Sequence, residues 1–327
     1  MYPKIAATHN KIIGVLGGTG FVGQHLVRTL VEAGYQVRVL ARHRERYREL
    51  LVLPRVNVIN TDIMTLSNLH QHLAGCSAVI NLVAVLNENK KGSFERLHVE
   101  LPRMIIDACV ANKIHRIIHM SALNAYAGKA PSRYLTSKGE GEDTMHMAAD
   151  EHIHVTSFRP SVIFGPGDHL FNRFASLLKC ILHLPLACPN ARFAPVYVGD
   201  VVDVIVKSLH EKATFGQRYD LCGPRVYTLQ QLVEFTIKTL GIKRKVIPLG
   251  DGLSKLMARI MGMLPGKLLT YDNYLSMQLD SVSKEKFPAI FGITPHSIEA
   301  IVPRYLMQKN QRGRYPRYRL HAGRDEK

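Results

Sequence analysis

The chain has 327 residues, of which 46% are hydrophobic, and 43 lysines and arginines against 26 aspartates and glutamates leave a net charge of +17. That length buries a full core as one large domain or two unequal ones, and no apolar run approaches a membrane span. The cationic excess favours anionic partners (phosphates, nucleic acid or a lipid surface), while five scattered cysteines with no CxxC pair exclude a disulfide frame or a zinc site.

The opening "MYPKIAATHN" lacks the basic-then-apolar pattern of a secretory signal, so a cytoplasmic setting is expected. "KIIGVLG" then reads as a first strand and Gly20–Ala33 as a helix with Leu26, Val27, Leu30 and Val31 on one face. "YQVRVLAR", "VNVINTD", "SAVINLVA", "RIIHMSA" and "HVTSFRPSVIFG" supply further strands, with helices expected at Thr65–Leu73, Ser93–Asn112 and Tyr134–Asp150. Near-continuous Val/Ile/Leu strands separated by helices predict a parallel sheet covered on both faces: a doubly wound α/β domain of the Rossmann type.

After Gly165 the alternation breaks. A helix is expected at Asp200–Leu209, and the rest reads as a smaller, mostly helical lobe that the chain enters, leaves and re-enters. The expected division is 1–165 with about 196–212 as the dinucleotide-binding domain, and about 166–195 with 213–308 as the smaller lobe. The basic stretch 309–327 reads first as a solvated terminus and second as an arm touching acidic lipid or a partner.

The first strand-to-helix turn runs Gly17, Gly18, Thr19, Gly20, Phe21, Val22, Gly23. Gly17 permits a tight turn, Gly20 lets backbone N–H groups approach a pyrophosphate, and Gly23 lets the helix pack on the strand. The helix N-terminus adds unpaired donors and a partial positive charge. Cofactor choice is expected at the end of the second strand, where "VLARHR" offers Arg42 and His43 and no acid. An arginine there pairs with a 2′-phosphate, so NADP(H) is preferred over NAD(H).

"SRYLTSKGEGE" puts Tyr134 and Lys138 on one helix face. An ammonium beside a phenol is expected to lower the phenol's pKa and make it a usable acid/base, with Ser121 orienting a substrate oxygen. In "GVLGGTGFVG", "YLTSK", "FRPSVIFGPGD" and "PVYVGDVVDVI" the chain resembles the extended or atypical branch of the short-chain dehydrogenase/reductases. The resemblance implies that Asp62 and Ile63 flank an adenine, that Leu82, Val83 and Ala84 line the cofactor crevice, and that Pro160, Ser161 and Val162 lie near the nicotinamide. More narrowly, "RIIHMSALNA", "FAPVYVGDVV" and "FGITPHSIEAIVPRYL" look like the NADPH-binding accessory subunit of respiratory complex I and its stand-alone bacterial relatives. That implies a tightly held NADPH near quinone chemistry, with a quinone or lipid-like ligand and contact with a respiratory complex among the partners, and it does not imply turnover. Two departures from active relatives bear on this. Ser121 is followed by Ala122 and Leu123, so the catalytic serine is either Ser121 or has been replaced by Ala122. His98 stands where active relatives place an asparagine.

The histidine pairs His115/His119 and His152/His154 lack a third ligand at metal spacing and read as packing residues, so no metal is expected. In "DGLSKLMARIMGMLPGKLL", Leu253, Leu256, Met257, Ile260 and Leu264 share a face with Lys255 and Arg259 opposite. The first reading is a core-facing helix of the smaller lobe. The second is an interfacial helix on an anionic membrane or over a lipid-like substrate, which would place the protein peripheral to the inner face of the cytoplasmic membrane. No nucleic-acid-binding motif accompanies the charge. The expected function is an NADP(H)-binding protein tied to respiratory or quinone metabolism. The alternative is an active oxidoreductase or epimerase using Tyr134 and Lys138.

Overall fold

The computed structural model describes residues 11–88, 92–128, 130–264 and 266–307, so the basic stretch expected as a solvated terminus lies outside the described residues. Six strands follow the predicted order: β1 (Ile12–Leu16), β2 (Gln36–Ala41), β3 (Val56–Asn60), β4 (Cys76–Asn81), β5 (Arg116–Met120) and β6 (His154–Pro160). They form one parallel sheet whose spatial order is β6-β5-β4-β1-β2-β3, with a further parallel strand, Arg218–Leu221, outside β6. Buried strands of this kind need apolar cover on both sides. Helices α1 (Phe21–Glu32), α2 (Arg48–Leu51) and, later in the chain, Val198–Ser208 cover one face. Helices α3 (Leu66–Leu73), α4 (Leu101–Ala111) and α5 (Arg133–Met147) cover the other.

Three boundaries differ from expectation. The helix expected over Ser93–Asn112 is interrupted by a π-helical stretch, Glu95–Glu100, before α4 begins. Pro102 has no N–H to give the His98 carbonyl four residues back, so the α register cannot run through it. The sixth strand stops at Pro160. Ile163–Phe164 instead pairs with Val196–Tyr197, because the Ser161 hydroxyl turns away to donate to the Ser281 carbonyl at 2.7 Å. Arg218–Leu221, expected within the smaller lobe, belongs to the main sheet.

The smaller lobe gathers α6 (Phe171–Cys180), α8 (Leu229–Leu240), α9 (Asp251–Met263), α10 (Tyr271–Ser276) and a helix over 298–307, with α7 being the Val198–Ser208 helix already placed on the sheet. Its core unites Phe164 and Phe171 with Leu232, Ile298 and Val302. Strand order reverses between β1 and β4, and ligands of doubly wound sheets bind beyond the carboxyl ends at such a switch point.

Candidate functional site

The glycine turn opens at that reversal. Gly17 has φ +78, and a Cβ there would meet the Leu82 carbonyl carbon at 2.9 Å, so both backbone sign and the next strand's chain demand glycine. At Gly23 a Cβ would sit 2.3 Å from the Gly17 carbonyl oxygen, which fixes how closely α1 approaches the turn. At Gly20 a Cβ would meet only the Gly17 oxygen, at 3.3 Å, and no side chain caps α1. The first N–H groups of α1, at Phe21, Val22 and Gly23, therefore have no side-chain cap. Gly18 packs beneath, against Val15 and Val39, and Thr19 is half-buried with its carbonyl held by the Gln24 side chain at 3.0 Å. This cradle fits a diphosphate approached by backbone donors.

The flanking residues fall around it. Arg42 and His43 are exposed at the carboxyl end of β2, and neither is paired among the described residues. Asp62 is exposed after β3, its carboxylate accepting the Met64 N–H at 3.0 Å, and Ile63 is half-buried beside it. Leu82, Val83 and Ala84 follow β4. The Leu82 N–H donates to Leu16 O at 2.9 Å and the Val83 N–H to Asn81 Oδ1 at 3.1 Å. Pro160, Ser161 and Val162 are less free than expected. Pro160 O accepts Leu123 N–H, Val162 O accepts Val196 N–H, and Ser161 Oγ is bound to Ser281, which joins the sheet to the smaller lobe.

At the nicotinamide end, α5 begins at Ser132, whose hydroxyl caps the Leu135 N–H, and the Asp272 carboxylate of α10 accepts the N–H groups of Arg133 and Tyr134 at 2.7 and 3.1 Å. Lys138, one helical turn beyond Tyr134, is buried and donates to the Met120 carbonyl at 2.6 Å, which ties α5 to the end of β5. The Ser121 N–H is spent on Phe158 O, and its hydroxyl is buried without a partner. The side chains that Tyr134 packs against are Ala122, Ala125, Leu135 and Ala130, with Phe94 at 6.1 Å and His98 at 5.8 Å between ring centroids. Ala122 thus belongs to the small apolar cluster on which Tyr134 packs.

Burial works against the expected lowering of the phenol's pKa. Burial pushes Tyr134 up to about 12, and burial brings Lys138 down to about 8 despite the nearby Glu142. An apolar wall disfavours phenolate and ammonium alike, which leaves the pair a poor acid/base in the unliganded site.

His98 is a brace. Its Nε2 accepts the Val85 N–H at 3.2 Å, so Nδ1 carries the proton and donates to Ser137 Oγ at 2.8 Å, and Ser137 in turn donates to Tyr134 O at 3.0 Å. Burial pulls its pKa to about 3, which keeps the ring neutral. The π-helical stretch sets this ring between the crevice wall and α5. Gly141 permits the approach, since a Cβ there would overlap the His98 carbonyl. Asn81, Phe94 and Asp272 were not legible from sequence as site residues. Only the Leu101–Pro102 pair in a helical run hinted at the helix irregularity. Among the described residues no group of three or more metal-ligating side chains occurs, and no helix is long and apolar enough to cross a membrane.

The family described as "NAD dependent epimerase/dehydratase family" matches residues 13–222. Among curated proteins, the chain is 28% identical over 320 residues to the mitochondrial "NADH dehydrogenase (ubiquinone) 1 alpha subcomplex subunit 9" of Arabidopsis thaliana, covering 91% of this chain and 78% of that one. It is 27% identical over 245 residues to "Ceramide reductase" of Caulobacter vibrioides, covering 73% and 74%. Among solved structures, an NADPH-dependent quinone oxidoreductase complexed with NADPH, from Escherichia coli, superposes with a TM-score of 0.70 at 17% identity, covering 90% of this chain and 99% of that one.

Proposed function

The chain belongs to the NAD dependent epimerase/dehydratase family, and from that membership we propose that it holds a nicotinamide dinucleotide, NADP(H) before NAD(H), as a retained ligand serving respiratory or quinone chemistry at a membrane face. The observation that carries the retained-ligand reading is the apolar enclosure of Tyr134 by Ala122, Ala125, Leu135 and Phe94. Apolar cover of this kind disfavours the phenolate that proton transfer would need. The glycine cradle supports binding of a diphosphate, and the exposed Arg42 at the carboxyl end of β2 supports a 2′-phosphate. The likeness to a complex I subunit, and a neighbour in fold that is a quinone oxidoreductase, support the respiratory and quinone link.

A bound nicotinamide supplies hydride chemistry. Around it, the backbone donors of Phe21 to Gly23 would hold the diphosphate, Arg42 the 2′-phosphate and Lys138 a ribose hydroxyl, with Phe94 covering one side of Tyr134. A second reading, an active oxidoreductase or epimerase, is favoured by the buried, unpartnered Ser121 hydroxyl, which is free to accept a ligand group, and by the intact Tyr134–Lys138 pair.

Releasing and identifying the nucleotide that copurifies, then following NADPH absorbance with quinones for wild type and Tyr134→Phe, tests both readings. Near-stoichiometric NADP(H), with no oxidation that depends on Tyr134, is expected. Tyr134-dependent oxidation would establish the second reading in its place.

A further inference from the structure

Helix α9 turns its large apolar side chains away from the protein. Its buried positions are Ser254 and Ala258, whereas Leu253, Leu256, Ile260 and Met263 are 58%, 52%, 54% and 85% exposed. At the α-helical period these four fall within one arc of roughly 100°, a contiguous stripe and not the scattered apolar residues of an ordinary surface. Leu264 and Leu268 extend it beyond the helix. The expectation of a core-facing helix is therefore corrected: Ser254 and Ala258 pack, Met257 and Met261 are half-buried, and Leu253, Leu256, Ile260 and Met263 point outward.

The helix is held firmly in this pose. Asp251 accepts the Tyr274 hydroxyl at 2.7 Å, and Ser254 Oγ accepts the Cys188 N–H at 3.1 Å. Its surroundings are strongly basic: from Lys243 to Leu268 the sequence has six lysines and arginines against one acid, Asp251. Lys255 and Arg259 flank the stripe over the Tyr271 ring, at 6.0 and 5.3 Å from its centroid, and neither forms an ion pair with a described residue.

We propose that this face docks on an anionic lipid bilayer, with α9 lying in the plane of the interface. Leu253, Leu256, Ile260 and Met263 enter the acyl boundary, and Lys255 and Arg259 meet lipid phosphates. A protein partner would bury the stripe equally well, but the uncompensated cations match a phosphate surface. The proposal deepens the membrane-face part of the proposed function and is independent of its dinucleotide part. A 530 Å³ cleft lined by Phe94, Arg133, Arg259, Met263 and Tyr271 shares residues with the stripe.

The test is flotation of the full chain with phosphatidylcholine vesicles, with and without phosphatidylglycerol, at low and high salt. It is repeated for a Leu256→Glu/Ile260→Glu variant and for a chain ending at Met307. Partition onto the anionic vesicles alone, retained without the 308–327 stretch and weakened at least about tenfold in the double variant, is expected. Equal partition of variant and wild type, or loss of binding with the basic stretch alone, would overturn it. So would a self-association that the double variant abolishes without any vesicle binding. NADPH affinity, measured on the same samples, is expected unchanged by the double variant. Vesicle binding without NADPH binding would sink the dinucleotide reading and leave this one standing.

Discussion

Arg42 and Arg159 carry the same charge in opposite surroundings. Arg159 gives its Nε–H to both Glu142 oxygens at 2.9 Å, and Glu142 is fully buried, with Arg218 a further 3.5 Å away. Glu142→Ala leaves Arg159 without its counter-charge, and thermal or urea unfolding is expected to show a loss of about 3–5 kcal/mol. Arg42 is exposed and braces nothing in the described structure, so Arg42→Asp is expected to leave stability nearly unchanged. In titration calorimetry it should weaken NADP(H) roughly tenfold or more beyond any loss for NAD(H), since a charge-assisted phosphate contact is replaced by repulsion. Equal losses for both nucleotides would remove Arg42 from phosphate recognition. Both arginines look alike in the sequence. Arg42 was legible because its place follows from strand order, whereas the partner of Arg159 lies on a helix whose rotation no local pattern reveals.

At the scale of elements, α5 is the member on which the site converges. Its start is held from outside by Asp272 and by the Ser276 hydroxyl, which donates to Ser132 Oγ at 2.8 Å. Asp272 thus satisfies two of the four N–H groups that a helix start leaves unpaired and complements the helix dipole. Asp272→Ala is expected to cost about 1–2 kcal/mol and to speed hydrogen exchange at the Arg133 and Tyr134 amides. Unchanged protection there would mean that the cap contributes nothing. The existence of α5 was readable from its residues, as were nearly all strands of the sheet. The short edge strand Arg218–Leu221 was not, because four residues of mixed polarity carry no period and are recruited by the open edge of β6.

The whole molecule stores neutral histidines in its interior. Burial holds His98 near 3, His119 well below its ordinary value and His146 near 4, with Lys138 adding to the effect on the first two. An unfolded chain takes up these protons near 6.5, while the fold refuses them until much lower pH. The stability they confer is complete above about 6.5 and is lost as the pH falls toward 4 and below. Melting temperature is expected to fall across that window, and His98→Asn, which keeps an acceptor for Val85 and a donor for Ser137, is expected to flatten the fall. A wild-type profile level from pH 7 to 4 would contradict the buried neutral rings. Lys138 acts in the same direction at higher pH: its lowered pKa makes stability rise between about 8 and 10.5, as the unfolded lysine gives up its proton later than the buried one.

From residues alone came the doubly wound sheet, the glycine cradle and the Tyr134–Lys138 face, because apolar periodicity and the steric demands of glycine act over a few neighbours along the chain. Only the tertiary structure decided that Tyr134 packs on the cluster holding Ala122, that His98 braces the crevice wall, and that α9 presents leucines to solvent. An amphipathic stripe states that a helix has two faces. Which face meets the protein depends on what the rest of the chain brings against it, and here Ser254 and Ala258 allow the closer approach.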